Sequence, residues 1–442
     1  MSSEPVAAVV GAGISGIAAA LRLRSAGYAV RILERGDRLG GRLGMAELDG
    51  RDIMVGGKNI GRGYTRVRAL LERLGGVEYE PFGINTSRVV DGRLVPLDSD
   101  RRSQTLRAIV RMCDLRDLPR LDSIARRVRA ADSARFLGSE FARSLAARSD
   151  REPLASHFGP RTTANFLRPI TVRMNGAEPD EVFLGTFPTN MGMLLDHFDQ
   201  TRTGLRQVLS RVEEQVEVCY GQEVVGIEAR AGGVVLHTRD AQDVSGYDAV
   251  AICTPAHAAA ALLRALSPAL AELLRSVRYF PATIAVARYA HDVFARDVRA
   301  LALDDGPCSN VGSYGRDARN LVRYTFSGRR GRLTDPDAGT VDTLITETER
   351  VLEAHLGIVR SPRTAVAVRH WPQAYCAYLP RHDMFLDAVA AATAAVPGLA
   401  LAGDYLLGAS LEACCRSGEA AADALAVRAG APPNTLEQKA FG

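Results

Sequence analysis

Four short stretches have the residue types and spacing that chemistry needs. The first is Gly11-Ala12-Gly13-Ile14-Ser15-Gly16. Gly11 would permit a tight turn, Gly13 would let a pyrophosphate approach the backbone, and Gly16 would let a helix pack on a strand. The N–H groups near Ile14 and Ser15 would open that helix and hold phosphate at its partly positive end. Glu34 follows 18 residues after Gly16, placed to accept hydrogen bonds from both hydroxyls of a ribose. An acid there disfavours a 2'-phosphate, so NADP is not expected. The second stretch runs from Arg35 to Gly40-Gly41-Arg42, and the third is Gly56-Gly57-Lys58-Asn59. The fourth, near the end, is Gly403-Asp404 followed by Ser410-Leu411. A nicotinamide dinucleotide gives no reason for a second Gly-Gly-Arg loop so soon after the ribose acid; a longer dinucleotide does.

These residues need elements to position them. Val6 to Val10 reads as a short buried strand, Ile17 to Arg24 as a helix and Val30 to Leu33 as a second strand, a βαβ opening. From Leu106 to about Ala147 the chain turns to Arg, Leu and Ala, with Ile109, Val110, Leu115, Leu118 and Leu121 on the apolar face of amphipathic helices. Strand patterns return at Val216 to Val218, Val224 to Ile227 and Val234 to Thr238. Tyr247 to Cys253 reads as one buried strand meeting Thr254-Pro255. A mixed region, Tyr279 to Arg369, holds strands at Thr283 to Arg288 and Asn320 to Phe326 and a helix from about Val341 to Leu356. A strand, Leu399 to Ala402, and a helix, Leu411 to Val427, close the chain.

Composition bounds the rest. With 442 residues, 47% apolar and 24% charged, the chain is long enough for two or three domains with sizeable cores. A net charge of +4 leaves no broad cationic field for nucleic acid. No secretory leader or long apolar run is evident, so a cytoplasmic protein without a transmembrane segment is expected. The seven cysteines lack CxxC or zinc spacing, so neither disulfides nor a metal is expected, and Cys414-Cys415 reads as buried hydrophobes. All but two of the 55 basic residues are arginines; the lysines are Lys58 and Lys439.

Taken in order, the glycine motifs, the Gly40-Gly41-Arg42 loop, the Gly56-Gly57 pair and the closing Gly403-Asp404 to Ala421 segment resemble the FAD-dependent flavin amine oxidase superfamily, which includes monoamine oxidases, protoporphyrinogen oxidases and carotenoid desaturases. The resemblance covers about half of the chain. It implies an α/β fold: a Rossmann-like, discontinuous FAD-binding domain with an inserted mixed α+β substrate domain. It also implies FAD, with Gly40, Gly41 and Arg42 on its diphosphate side, Gly56 and Gly57 against the flavin, Val224 at the adenine and Thr254 closing the cofactor domain. Asp404 would take the ribityl hydroxyl, and N–H groups near Leu411 the flavin pyrimidine carbonyl.

Lys58 and Asn59 stand where monoamine oxidases have a small or aromatic pair. A lysine there could hold a substrate carboxylate, order a water or act as a base; a surface lysine is the alternative. The segment His370-Trp371-Pro372 to His382 resembles the protoporphyrinogen oxidase version. Ala374 falls where a FAD-linking cysteine would be, so FAD is expected to be non-covalent. Tyr375 falls on one wall of the aromatic cage, and Ser410 cannot supply the other. Tyr375 and Tyr378 are candidate catalytic residues, with a core role for each as the alternative. Asn190, Met191, Tyr324 and Phe326 are candidate pocket residues on the same terms.

The expected division is 1–82, 205–270 and 366–430 for the FAD domain, 83–204 and 271–365 for the substrate domain, and a flexible tail at 431–442. The expected reaction is hydride transfer from a C–H beside nitrogen, or in an activated C–C system, to flavin N5. A small-molecule substrate and oxygen or another acceptor would be the partners, and a homodimer is compatible with this reading. A flavin-dependent isomerase or mutase and a non-catalytic flavin-binding subunit are the rivals.

Overall fold

In the computed structural model, residues 4–428 are described apart from 84, 99–100, 231–232, 241–245, 305 and 358–360. The tail expected at 431–442 lies outside the described residues.

The strand Val6–Val10 runs into the Gly11 turn, the helix Ile14–Ser25 and the strand Ala29–Leu33. The two strands are parallel, with Val6 opposite Ala29 and Val10 opposite Leu33. Apart from the exposed Val6 and the half-buried Ala29, their short apolar side chains are buried because helices cover the sheet, as parallel sheets require. Gly11 has a φ of 98°, a left-handed conformation that glycine adopts without strain. A Cβ on Gly16 would overlap the Gly11 carbonyl oxygen, so the helix can lie this close to the strand only with glycine there.

Among the described residues these strands belong to a five-stranded parallel sheet in the order 217–219, 29–33, 6–10, 249–252, 399–401. The last helix, Leu411–Arg428, packs on Ile14–Ser25, and a Cβ on Gly418 would overlap the Ser15 carbonyl oxygen. The two ends of the chain therefore meet, as the motif order predicts. The single strand expected at Tyr247 to Cys253 is divided. Gly246–Tyr247 pairs antiparallel with Gly233–Thr238, and Ala249–Ile252 joins the parallel sheet. The division falls at Asp248, whose carboxylate accepts a hydrogen bond from Val6 N at 2.7 Å.

A second, seven-stranded sheet has the order 363–377, 278–289, 321–326, 308–313, 300–302, 87–90, 93–95. Its longest strand, Arg363–Ala377, pairs with Arg278–Tyr289 and runs straight through the boundary expected at residue 366. Through Ala374 on this strand the second sheet reaches the Arg42 loop. The arginine-rich stretch forms helices Arg102–Met112, Leu118–Ala130 and Glu140–Ser149. Leu121, Ile124 and Val128 are buried, but Val110 and Leu115, expected on the apolar face, are exposed. The helix stops at Cys113 and a short turn at Leu115–Asp117 resets the phase, which displaces Leu115, while Val110 sits next to the partly buried Ile109, about 100° further round the same helix. Among the described residues no helix is long and apolar enough to cross a membrane.

Candidate active site

The first three sequence motifs converge. Gly13 and Gly40 form a parallel bridge, and Gly40 N donates to Ala12 O at 2.8 Å. Glu34 lies just past its strand, and its carboxylate already accepts from Ala12 N and Gly36 N, each at 2.8 Å. This fixes the acid beside the Gly11–Gly16 turn and leaves only its remaining lone pairs for a further donor. Gln222 N donates to Glu34 O at 2.9 Å, which brings the strand beginning at the buried Val224 to the same edge. Buried acceptors of Gln222 (Oε1) and Thr254 (Oγ1) have no partner among the described residues. Arg35 is exposed.

The C-terminal motif meets the Arg42 loop directly. Arg42 Nη1 donates to Asp404 Oδ2 at 2.7 Å and to Ala374 O at 3.2 Å. Asp404 is buried and also accepts from Tyr279 Oη at 2.8 Å. Gly403 N donates to Ser417 Oγ at 3.0 Å, tying this strand end to the last helix. Ser410 caps that helix: its Oγ accepts from Ala413 N at 3.1 Å, and its carbonyl from Cys414 N at 3.0 Å. The N–H groups at Leu411 and Glu412 lie in the helix's first turn, beyond the reach of intrahelical bonds. Glu412 turns its buried carboxylate the other way, onto Arg66 N and Val67 N at the start of the helix Thr65–Arg73. Cys414 and Cys415 are buried, and burial pushes the Cys414 thiol up to about 12.

Arg42, the Gly56-Gly57 pair, the seven-stranded sheet and the start of the last helix border one cavity of about 360 Å³. Gly56, Gly57, Ala374, Ser410 and Leu411 line one part of it. A Cβ on Gly57 would meet only Leu411 Cδ2, at 3.6 Å, so the backbone there presents a bare strip. Trp371 supports the strip by donating from Nε1 to Val55 O at 2.9 Å.

Lys58 and Asn59 enter the same cavity, and Lys58 is only 7% exposed, which excludes the surface alternative. Lys58 Nζ donates to Gln200 Oε1 at 2.5 Å and Tyr314 O at 2.7 Å, and sits 3.8 Å from the Phe82 ring centre. Burial, then the nearby Arg323 and Arg173, push its pKa well below the usual lysine range. Asn59 Oδ1 is buried without a partner among the described residues.

Tyr375 lines the cavity, whereas Tyr378 does not: it is buried and its hydroxyl donates to Asp404 O at 3.3 Å. Three residues along an extended chain, a side chain points to the opposite face. The same alternation corrects two more expectations. Arg323 and Thr325 face the cavity, so Tyr324 and Phe326 on the same strand are fully buried in the core behind it. Asn190 and Met191 are likewise buried away from the cavity. Four arginines not singled out from the sequence line it instead: Arg88, Arg168, Arg173 and Arg323. The available signal was an arginine interrupting an apolar strand, Leu321-Val322-Arg323.

The model of the family described as flavin-containing amine oxidoreductase matches residues 14–426. The chain belongs to this family. It is an enzyme of the flavin oxidoreductase type, as the glycine motifs imply. Among solved structures, cyclohexylamine oxidase from Brevibacterium oxydans IH-35A superposes with a TM-score of 0.75 at 20% identity, covering 97% of this chain and 100% of that one. A protoporphyrinogen oxidase-like protein from Exiguobacterium sp. 255-15 gives 0.73 at 17% identity, covering 97% and 99%. A fatty acid isomerase from P. acnes, described as producing CLA, gives 0.67 at 13% identity, covering 95% and 98%. At these identities the likeness is one of fold. Putrescine oxidase from Kocuria rosea is 40% identical over 74 residues, which are 17% of this chain and only 16% of that protein's length.

Proposed function

We propose that this flavin oxidoreductase binds FAD non-covalently and oxidises a small molecule at a C–H bond next to nitrogen or in an activated C–C system. The observation that carries the reading is the shared cavity. The bare Gly56-Gly57 strip, the first turn of the helix at Leu411, and the side chains of Lys58, Asn59 and Tyr375 all border one cavity.

The residues present fit FAD from end to end. The Gly11–Gly16 turn would take its phosphates, Glu34 and the edge at Val224 its ribose and adenine, and Arg42 with Gly40 and Gly41 its diphosphate side. The carboxylate of Asp404 is committed to Arg42 and Tyr279, so its part would be to fix Arg42 while offering its remaining lone pairs to a ribityl hydroxyl. Ala374, where the resemblance places a linking cysteine, favours non-covalent binding. When bound, the flavin supplies the hydride acceptor and a route to oxygen or another electron acceptor.

The chain's own residues orient the substrate and keep water out. The first turn of the helix at Leu411 directs N–H donors and the positive end of a dipole at its neighbour, which favours negative charge there. Lys58 is held by Gln200 and Tyr314, and Gln200 in turn donates to Glu80. These bonds orient Lys58, and its lowered pKa lets Nζ hold or give up a proton at the cavity. Phe166, Ile170, Met174 and Ile284 provide apolar walls.

The purified protein is expected to show a flavin spectrum, to release FAD on denaturation, and to bleach anaerobically with its substrate class. A protein that takes up no FAD would sink the reading. Bleaching by dithionite alone, with substrate rearranged but not oxidised, would favour the isomerase alternative, which uses the same fold. Lys58→Met is expected to lower turnover roughly tenfold or more with flavin content unchanged; unchanged turnover would leave Lys58 a packing role only.

A further inference from the structure

Six cationic side chains line the cavity: Arg42, Lys58, Arg88, Arg168, Arg173 and Arg323. Among the described lining residues there is no aspartate, glutamate or histidine. Three of the six are neutralised from behind the wall. Arg42 pairs with Asp404, Arg88 with Asp304, and Arg168 with Glu178 and Asp304, both at 2.7 Å.

Arg173 and Arg323 are not. Arg173 Nη1 donates to Thr86 Oγ1 at 3.0 Å, and Arg323 donates to Met54 O at 2.9 Å and Gly56 O at 2.8 Å. These partners are neutral dipoles, and neither arginine makes an ion pair among the described residues. The two come from different elements, the helix Arg168–Asn175 and the strand Leu321–Phe326, and lie near enough to repel each other and to act together on the Tyr375 hydroxyl. Burial, and for Arg173 the charge of Arg323, lower their pKa values. A guanidinium gives up its proton too reluctantly for this to neutralise either one. Two charges held in a cavity wall without a carboxylate partner are costly unless a ligand supplies the counter-charge. The same charges repel a dicationic substrate, which is discrimination built from repulsion.

We propose that the cavity takes a small organic anion, a carboxylate with an apolar body, and that Arg173 and Arg323 receive its carboxylate beside Tyr375. The bonds from Arg323 to Met54 and Gly56 make it part of the wall holding the glycine strip, so anchor and strip have a fixed relation. Arg173, held by a single hydroxyl, is the member free to close on the ligand. The substrate is then anchored at its anionic end while its apolar part extends over the strip. This rests on the flavin reading only for what happens next; the binding itself is a property of the chain.

The test is calorimetric titration of the purified protein, as isolated, with hexanoate and hexylamine at neutral pH, alongside the visible spectrum. Hexanoate is expected to bind and perturb the flavin absorption, with hexylamine at least about tenfold weaker. Arg173→Met should weaken hexanoate about tenfold or more with flavin content unchanged, and Arg173→Lys should recover part of it. Equal affinity for the two ligands, tighter amine binding, or an unchanged hexanoate affinity in Arg173→Met would overturn the proposal even if the protein is yellow. Selective hexanoate binding by a colourless protein would uphold the anion site and sink the flavin reading instead. If Arg173→Met fails to fold, the hexanoate to hexylamine preference of the unaltered protein decides.

Discussion

Around the glycine loops the structure is made of backbone meeting backbone: Gly16 against Gly11, Gly13 against Gly40, Gly418 against Ser15. Around the cavity it is made of side chains brought from many segments, some with charges or acceptors left unpaired, such as Arg173, Arg323 and Asn59 Oδ1. The cradle is crowded; the cavity is roomy and lined in part by charges without a counter-charge among the described residues. The first arrangement tolerates little change of residue type, because a Cβ at Gly11, Gly16, Gly41 or Gly418 meets a neighbour's main chain. The second keeps its fold when residues change but alters what it binds.

The sharpest way to break that contrast is Gly418→Val. The added carbons overlap the Ser15 carbonyl, and separating the first and last helices is expected to cost about 4 kcal/mol and to empty the flavin site. Denaturant unfolding and the flavin spectrum read both; a stable, yellow variant would show that the cradle is looser than described.

Next in size is a pH effect at His382, buried beneath the closing motif. Its Nδ1 accepts from Leu379 N and its Nε2 donates to Tyr405 O at 2.8 Å, so the neutral ring suits the site and a second proton would face a donor. Burial lowers its pKa to about 4, against 6.5 in the unfolded chain. The unfolded state therefore binds the proton first. Stability is full above about pH 6.5 and falls as pH drops toward about 4, by about 3 kcal/mol in all. His382→Gln should flatten this part of the unfolding-midpoint profile; a slope identical in both proteins would assign it to other groups.

Asp404→Asn leaves Arg42 without its carboxylate. Because the Arg42 side chain is one-third exposed, the expected loss is nearer about 2 kcal/mol than the larger cost of a fully buried break, with weaker flavin retention measured by dialysis. On the cavity side, Thr325→Val should change stability by less than about 1 kcal/mol while shifting ligand affinity. A larger stability loss there would erase the distinction between the two regions.

The same contrast explains what could be read from sequence. Gly11, Gly16, Gly40, Gly41 and Gly403 stand where a positive φ or a crowding main chain disfavours other residues, so their spacing is written plainly along the chain. Lys58 was legible for another reason: in a chain whose cations are almost all arginine, a lysine beside a glycine pair is conspicuous. That abundance of arginine concealed Arg173 and Arg323. On the strand Leu321–Phe326 the aromatic residues drew attention, yet which face of a strand meets a cavity depends on sheets assembled from distant segments, and here the alternation exposed Arg323 and Thr325. The interruption at Cys113 to Asp117 misled in the same way, by resetting a helical phase that the apolar spacing alone carried through.

The meeting of the chain's ends has a consequence in time. The first strand has one neighbour close behind it, but its other flank comes from Ala249–Ile252, and the helix that covers its glycine turn from Leu411–Arg428. At roughly 5 to 20 residues per second, a ribosome takes on the order of 20 to 80 s to deliver that last helix. The Gly11–Gly16 turn is thus among the first elements synthesised and among the last completed, and a chain cut short before residue 411 would leave the nascent cradle open along one side.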